Sequence, residues 1–121
     1  MVIEMKILVI LNHTPTDEQI AELQSMGYED IEIVKHPSID PYADSVEVFE
    51  LFRDTIRDKN FNALWVQGDY RFFAQALLYC LANGKRLLVA TTERISKEER
   101  HSDGSIEIRR VFRHAKFVPI I

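Results

Sequence analysis

The sequence predicts an α/β fold: a three-layer arrangement in which a parallel sheet of strand order 2-1-3-4 carries helices on both faces, with antiparallel strand or strands at the C-terminus. Three observations predict it. Apolar runs of strand length alternate with amphipathic stretches of helix length in the order β-α-β-α-β-α-β, which with right-handed crossovers gives a parallel sheet covered on both sides. The first run, Met5 to Leu11, is apolar almost throughout, as a central strand buried on both faces must be. Three strands run into polar clusters, Asn12-His13, Gln67-Gly68-Asp69 and Thr91-Thr92-Glu93-Arg94, and such a sheet places those ends on one edge.

Each element follows from local chemistry. Thr14-Pro15-Thr16 ends the first strand. Thr16 with Gln19 has capping-box spacing, and Pro15 keeps the entry extended. The helix that follows carries Ile20, Leu23 and Met26 on one face and stops at Gly27, a C-terminal cap residue. Asp30 to Val34 alternates polar and apolar, the pattern of a short edge strand. Lys35 to Tyr42 holds Pro37 and Pro41 and is a loop. Asp44 with Glu47 repeats the capping spacing before a helix to about Lys59 that stacks Val48, Phe49, Phe52 and Ile56. Asn62 to Gln67 is the third strand. From about Tyr70 to Asn83 the chain is apolar almost all round, which predicts a deeply packed helix ended by Asn83-Gly84. Arg86 to Ala90 is the fourth strand. Ser102-Asp103-Gly104-Ser105 is a hairpin-type turn, and the alternation beyond it predicts one or two antiparallel strands.

The totals bound the class. The chain has 121 residues, 46% hydrophobic and 28% charged, enough for one domain spanning residues 1–121 with one core. A net charge of −4 argues against a nonspecific duplex-DNA binder, while leaving room for a local basic pocket. The lone Cys80 rules out an internal disulfide and suits a reducing compartment; Leu77, Leu78 and Leu81 around it make it a small core residue. Glu4 and Lys6 interrupt the first apolar run, so it is not a secretory leader. No run approaches the roughly 18 residues of a membrane span. The expectation is a soluble, cytoplasmic protein.

The polar clusters carry the candidate chemistry. Gly68 permits a positive φ or a close approach of ligand to backbone, and the free amides of the following helix suit a phosphate. Gln67 can bond a base edge or a ribose. Asp69 is equally a helix N-cap type. His13 suits a general acid near neutral pH, or a loop histidine that bonds a neighbouring carbonyl; Asn12 orients a phosphate or caps the loop. Thr91, Thr92 and Arg94 supply hydroxyls and a guanidinium fork for a phosphodiester, or else form another helix cap. Arg109-Arg110-Val111-Phe112-Arg113-His114-Ala115-Lys116 is the one concentrated basic segment. On a strand Arg110, His114 and Lys116 share one face and Arg109 and Arg113 the other; interleaved Phe112 and Phe117 suit base stacking, or the charges guard an edge strand. Trp65 and Phe72-Phe73 belong to the core. His36 and His101 stand in polar loops, as solvated histidines, and Glu98-Glu99 is a solvated face. The zinc-ligand spacings, the P-loop and the glycine-rich dinucleotide fingerprint are missing, and no metal or cofactor is predicted. A phosphoacceptor receiver domain wants acidic residues where Asn12-His13 stand.

Taken in order, Leu11-Asn12-His13, Val66-Gln67-Gly68-Asp69, Ala90-Thr91-Thr92-Glu93-Arg94, Asp103-Gly104-Ser105 and Val111-Phe112-Arg113-His114-Ala115-Lys116-Phe117 resemble the small CRISPR-associated Csx-type Rossmann-like proteins of type III systems, the ring-nuclease-like branch. The resemblance runs from Ile7 to Phe117. It implies binding of a cyclic oligoadenylate second messenger, cyclic tetra-adenylate before other sizes, and ring cleavage that switches off antiviral signalling. It maps His13, Gln67, Gly68, Asp69, Thr92, Arg94 and His114 onto the ligand site, with His13, Asp69 and His114 as the catalytic set. Asn12, Arg71, Thr91 and Arg113 join the ligand contacts. The chain departs from the family pattern after the turn: Tyr70-Arg71-Phe72-Phe73 replace small residues, so that Arg71 adds a phosphate contact or the bulk narrows the pocket.

The chemistry accommodates this without a metal. A ribose 2′-hydroxyl attacks the neighbouring phosphate in line, while the protein holds the geometry, neutralises charge and protonates the leaving 5′-oxygen. A symmetric ring matches a two-fold homodimer with a half-site from each subunit. Two other functions stay open: a protein that sequesters or senses the same ligand without turnover, and a dimeric module that pairs with another protein and uses no nucleotide.

Overall fold

The computed structural model describes residues 5–121; Glu4, one of the two charges read against a leader, lies outside them. The chain runs β1 (Met5–Leu11), α1 (Asp17–Ser25), β2 (Tyr28–Lys35), α2 (Ser45–Ile56), β3 (Ala63–Val66), α3 (Tyr70–Asn83), β4 (Arg86–Arg100) and β5 (Ile106–Pro119). One five-stranded sheet has the order β2-β1-β3-β4-β5. The first four strands are parallel, and β5 lies antiparallel to β4. The α/β class and the 2-1-3-4 order follow the sequence expectation, with β5 added beyond β4.

The alternation of β1 divides the core. Leu8 and Ile10 face α2 and α3, together with Leu64, Val66 and Leu87. Ile7, Val9 and Leu11 face α1, with Trp65, Leu88 and Phe117. Trp65 meets Phe117 edge-on, ring centroids 4.6 Å apart. Burying each large side chain of this kind stabilises the fold by roughly 1.5–3 kcal/mol. Cys80 is buried on α3, and burial pushes its thiol up to about 11, so it is a core residue.

Local chemistry sets the helix ends. Thr16 and Gln19 form the reciprocal capping box of α1. Asp44 accepts from the Glu47 amide at the start of α2. That helix ends at Ile56, short of the expected Lys59, because Arg57 turns out of helical geometry (ψ 135°) and Asp58 is left-handed (φ 60°). Gly84 closes α3 with φ 64°. At the amino edge of the sheet Glu32 pairs with both Lys6 and Lys59, which ties β1, β2 and the segment after α2 together. The pair lowers the Glu32 carboxyl below its usual range, Lys59 contributing most, and Glu32 raises Lys6.

Three expectations are corrected. α3 is not packed all round: Phe72, Ala76 and Cys80 form a single buried stripe, while Tyr70, Leu78 and Leu81 are exposed. β4 does not end at Ala90. Only Arg86–Leu88 pair with β3, but pairing with β5 continues to Arg100. Thr91-Thr92-Glu93-Arg94 is therefore mid-strand in a two-stranded ribbon that runs past the carboxyl edge of the sheet. His36 is buried rather than solvated. His101, at the ribbon tip, is exposed and 3.1 Å from Glu107. No helix among the described residues is long and apolar enough to cross a membrane.

Candidate functional site

The carboxyl rim is built from the ends of β1, β2 and β3. The His36 amide donates to the Leu11 carbonyl (2.8 Å) and the Gln67 amide to Ile10 (3.2 Å), which holds three strand exits side by side. Here α1 leaves on one face of the sheet and α3 on the other, the topological switch point of an open α/β sheet.

Three clefts border this edge. The first, about 280 Å³, lies between the ends of β1 and β2 and is lined by Asn12, His13, Pro15, Ile33 and Lys35, among others. The second, about 350 Å³, lies at the ends of β3 and β4 and includes Gln67, Gly68, Tyr70 and Ala90. The third, about 320 Å³, lies between the start of α1 and the ribbon and is lined by Thr16, Asp17, Glu18, Phe112, Arg113 and His114. The expected ligand set is thus divided: Asn12 and His13 in one cleft, Gln67 and Gly68 in the next, Arg113 and His114 in the third.

His13 is exposed, and its Nδ1–H donates to the Thr14 carbonyl at 3.2 Å, the local bond foreseen as the ordinary alternative. Its ring remains open to solvent next to Lys35, a strand-end cation that sequence reasoning placed in a loop and gave no role. Gly68 is required sterically. A β-carbon there would stand 2.6 Å from the Cδ2 and Nε2 atoms of His36. His36 donates from Nδ1 to the Pro37 carbonyl (2.7 Å) and packs on Phe72 at 4.4 Å. Its Nε2 is buried and has no hydrogen-bond partner among the described residues. The sequence signal for His36 was its position at a strand end opposite Gly68 on the neighbouring rim, legible only once the strand order is known.

Asp69 takes the helix-cap role that its residue type allowed, and Arg71 is its partner. Asp69 caps α3 by accepting from the Arg71 amide (2.8 Å), and the Arg71 fork grips both of its oxygens (3.0 and 2.7 Å). The other arm of the guanidinium donates to the carbonyls of Asp40, Pro41 and Ala43. Arg71 therefore clamps the loop before α2. Its hydrogen bonds hold the Asp69 carboxyl down to about 2, which leaves Asp69 no proton to give near neutral pH. His114 also has an internal partner. Its Nε2–H donates to Glu22 at 2.6 Å in a nearly buried setting, and the other Glu22 oxygen accepts from the Phe117 amide at 2.7 Å. It fastens the ribbon to α1.

The remaining expected contacts lie on the ribbon. Thr91 donates to the Lys116 carbonyl (2.9 Å) and accepts from the Lys116 amide (3.2 Å), holding the irregularity where Thr92 pairs with His114. Thr92 is exposed beside it. Arg113 pairs with Glu93 at 3.1 Å. Arg94 lies over the Phe112 ring at 5.4 Å; it is four residues beyond Ala90, roughly 13 Å further along an extended strand. At the tip, Glu99, His101 and Glu107 come together as exposed groups. Arg109 lies 3.6 Å from Glu99 and 3.9 Å from Glu107, so ordinary ion pairing accounts for the cluster.

A family model described as uncharacterized protein MJ1673 matches residues 5–118, nearly the whole chain. The chain belongs to the MJ1673 family. No curated protein and no solved structure matches it. The MJ1673 description names no activity, and the match spans β1 to β5, so it takes in all three clefts and the ribbon.

Proposed function

We propose that this MJ1673-family chain binds a cyclic oligoadenylate, cyclic tetra-adenylate first among them, at its carboxyl rim and cleaves it as a CRISPR-associated ring nuclease in the cytoplasm. The observation that carries the reading is the first cleft, where exposed Asn12 and His13 meet the Lys35 cation at a topological switch point. In the reaction a ribose 2′-hydroxyl gives its proton to solvent water as its oxygen forms a bond to the adjacent phosphorus, and the bond to the 5′-oxygen breaks. The products are a 2′,3′-cyclic phosphate and a 5′-hydroxyl. His13 delivers the proton to the leaving oxygen. Lys35, with Arg94 from the ribbon, offsets the charge on phosphorus. Gln67 and the Gly68 backbone hold a base or ribose. A homodimer supplies the second half-site for the ring.

A second reading, sequestration or sensing without turnover, is favoured by one observation: His13 and the Gln67-Gly68 turn line separate clefts. A ligand gripped at both need not be held in line for attack. Incubation with cyclic tetra-adenylate in EDTA separates the two. Fragments with 2′,3′-cyclic phosphate ends establish the nuclease. Tight binding of intact ligand establishes sequestration, and neither binding nor cleavage removes both.

A further inference from the structure

The amino edge of the sheet, opposite the carboxyl rim, carries a cleft that the proposed chemistry does not use. It encloses about 380 Å³, more than any of the three clefts at the rim. Lys6 of β1, Lys59 and Asn62 of the segment before β3, Tyr79 of α3 and Lys85 at the turn into β4 line it, among others. Lys6 shares the parity of Leu8 and Ile10, so β1 turns it to the side of α2 and α3. Lys59 and Lys85 enter from the segments that follow those two helices.

Lysine rarely leaves water, and its long stem is flexible. Here the side chains of Lys6 and Lys59 are only 25% and 27% exposed, each held on one oxygen of Glu32. The Lys85 ammonium lies over the Phe61 ring at 5.8 Å and pairs with no carboxylate among the described residues. It is not spent on the end of α3, because the Lys85 amide meets the Cys80 carbonyl there at 3.0 Å. Three ammoniums therefore share one carboxylate, with Asp30 attracting Lys6 from further off. Two positive charges are left over in an acidic chain, and like charges gathered in one cleft repel. Asn62 adds a donor: its Oδ1 accepts from the Lys6 amide at 2.8 Å, which fixes the carboxamide and turns its NH₂ away from that bond.

We infer that this cleft binds a compact phosphate-bearing anion of at least two negative charges, held by Lys6, Lys59, Lys85 and Asn62. Ammoniums act on phosphate as point charges, and no arginine fork, the usual match for a flat carboxylate, lines the cleft. Its volume stands at the small end of ligand pockets. Neither aromatic ring offers a face to a base: Phe61 is buried beneath Lys85, and Tyr79 packs against Phe52 and Phe61 at 5.6 and 6.0 Å. The cleft thus reads phosphates, whether free or at the end of a larger molecule. The site goes beyond the proposed function, since none of its residues stands at the carboxyl rim.

Isothermal titration calorimetry of the full chain with inorganic pyrophosphate in EDTA, beside citrate and adenosine triphosphate, tests it. Pyrophosphate binds once per chain, and at saturation it raises the melting temperature by about 4–8 °C, more than sodium chloride of equal ionic strength does. Lys85→Gln breaks no ion pair; it weakens binding at least about tenfold and leaves the ligand-free melting temperature nearly unchanged. Glu32→Gln tightens binding severalfold, because the carboxylate that competes for Lys6 and Lys59 is gone, whereas a purely structural Glu32 would only lose stability. Adenosine triphosphate bound as well as pyrophosphate identifies phosphates carried on a larger molecule, and its exclusion identifies the free anion. No binding of pyrophosphate, citrate bound equally well, a Lys85→Gln variant with wild-type affinity, or a Glu32→Gln variant that binds more weakly overturns the inference. So does displacement of pyrophosphate by cyclic tetra-adenylate, which would make the two ligands compete for one site.

Discussion

The imidazole of His36 lies against the Cα of Gly68, with no room for a methyl group between them. The contact joins the exit of β2 to the exit of β3 across the end of β1, so it sets the spacing of the rim.

Gly68→Ala therefore overpacks the rim, at a cost of about 1–3 kcal/mol, and lowers the melting temperature by at least about 4 °C for a domain of this size. In a His36→Ala background the same substitution costs less, since the ring it would strike is gone. Urea unfolding of the four-member cycle measures the coupling, expected at roughly 0.5–3 kcal/mol. Equal costs in both backgrounds would show that backbone geometry at Gly68 (φ 155°), and not the ring, requires the glycine.

Glu22 holds the ribbon to α1 through two acceptors, one for His114 and one for the Phe117 amide. Glu22→Ala leaves the Phe117 amide and the His114 ring without these acceptors, at a cost of about 1–3 kcal/mol for each such buried group. The Phe117 amide then exchanges with deuterium faster than the amides of β1, which lie in the centre of the sheet. Glu22→Gln keeps one carbonyl acceptor and recovers part of the loss. Unchanged exchange at Phe117 in the alanine variant would remove Glu22 from this role.

Sequence patterning was enough for the element order and the helix starts of the first ninety residues. Thr16–Gln19 and Asp44–Glu47 announce helix starts because a side-chain oxygen three residues from an amide is a local interaction, fixed before any tertiary contact forms. The continuous apolar run of β1 marks a doubly covered strand for the same kind of reason. The ribbon was half legible: the turn at Asp103-Gly104 and the antiparallel strand after it were read, and the extension of β4 was not. Beyond Ala90 the chain reads Thr-Thr-Glu-Arg-Ile-Ser-Lys-Glu-Glu-Arg, with no apolar face to report a strand, because its hydrogen bonds are met by β5 alone and neither face has a core to enter. The site was half legible. That Asn12-His13 and Gln67-Gly68 share a rim follows from strand order. That Asp69 is gripped by Arg71, and His114 by Glu22, depends on partners 2 and 92 residues away, where residue type alone cannot tell a ligand contact from an internal bond.

The Asp69–Arg71 clamp makes stability depend on acid. The folded Asp69 carboxyl, at about 2, lies under its ordinary 3.8, so its contribution is complete above the unfolded value and is lost as pH falls through about 2. Wild type loses melting temperature between pH 4 and 2 more steeply than Asp69→Asn, which has no carboxyl to protonate there. The variant is the less stable of the two at pH 7, since it loses the charge that Arg71 pairs with. Parallel pH profiles would show that the clamp does not persist in solution.

The proposed chemistry puts the proton on His13 and assigns His114 to structure. His13→Ala lowers single-turnover cleavage of cyclic tetra-adenylate by about 10²–10⁴ with the melting temperature unchanged, because the ring is exposed and bonded only to the adjacent Thr14 carbonyl. His114→Ala does the reverse: it loosens the ribbon and lowers the melting temperature while cleavage per folded molecule stays within a few fold. Arg94→Ala weakens ligand binding, read by titration of the intact ring, and leaves the fold untouched because its guanidinium lies over the exposed Phe112 ring. If His114→Ala abolishes cleavage at a temperature where it is fully folded, the Glu22-held imidazole is the acid, and His13 is an ordinary loop residue.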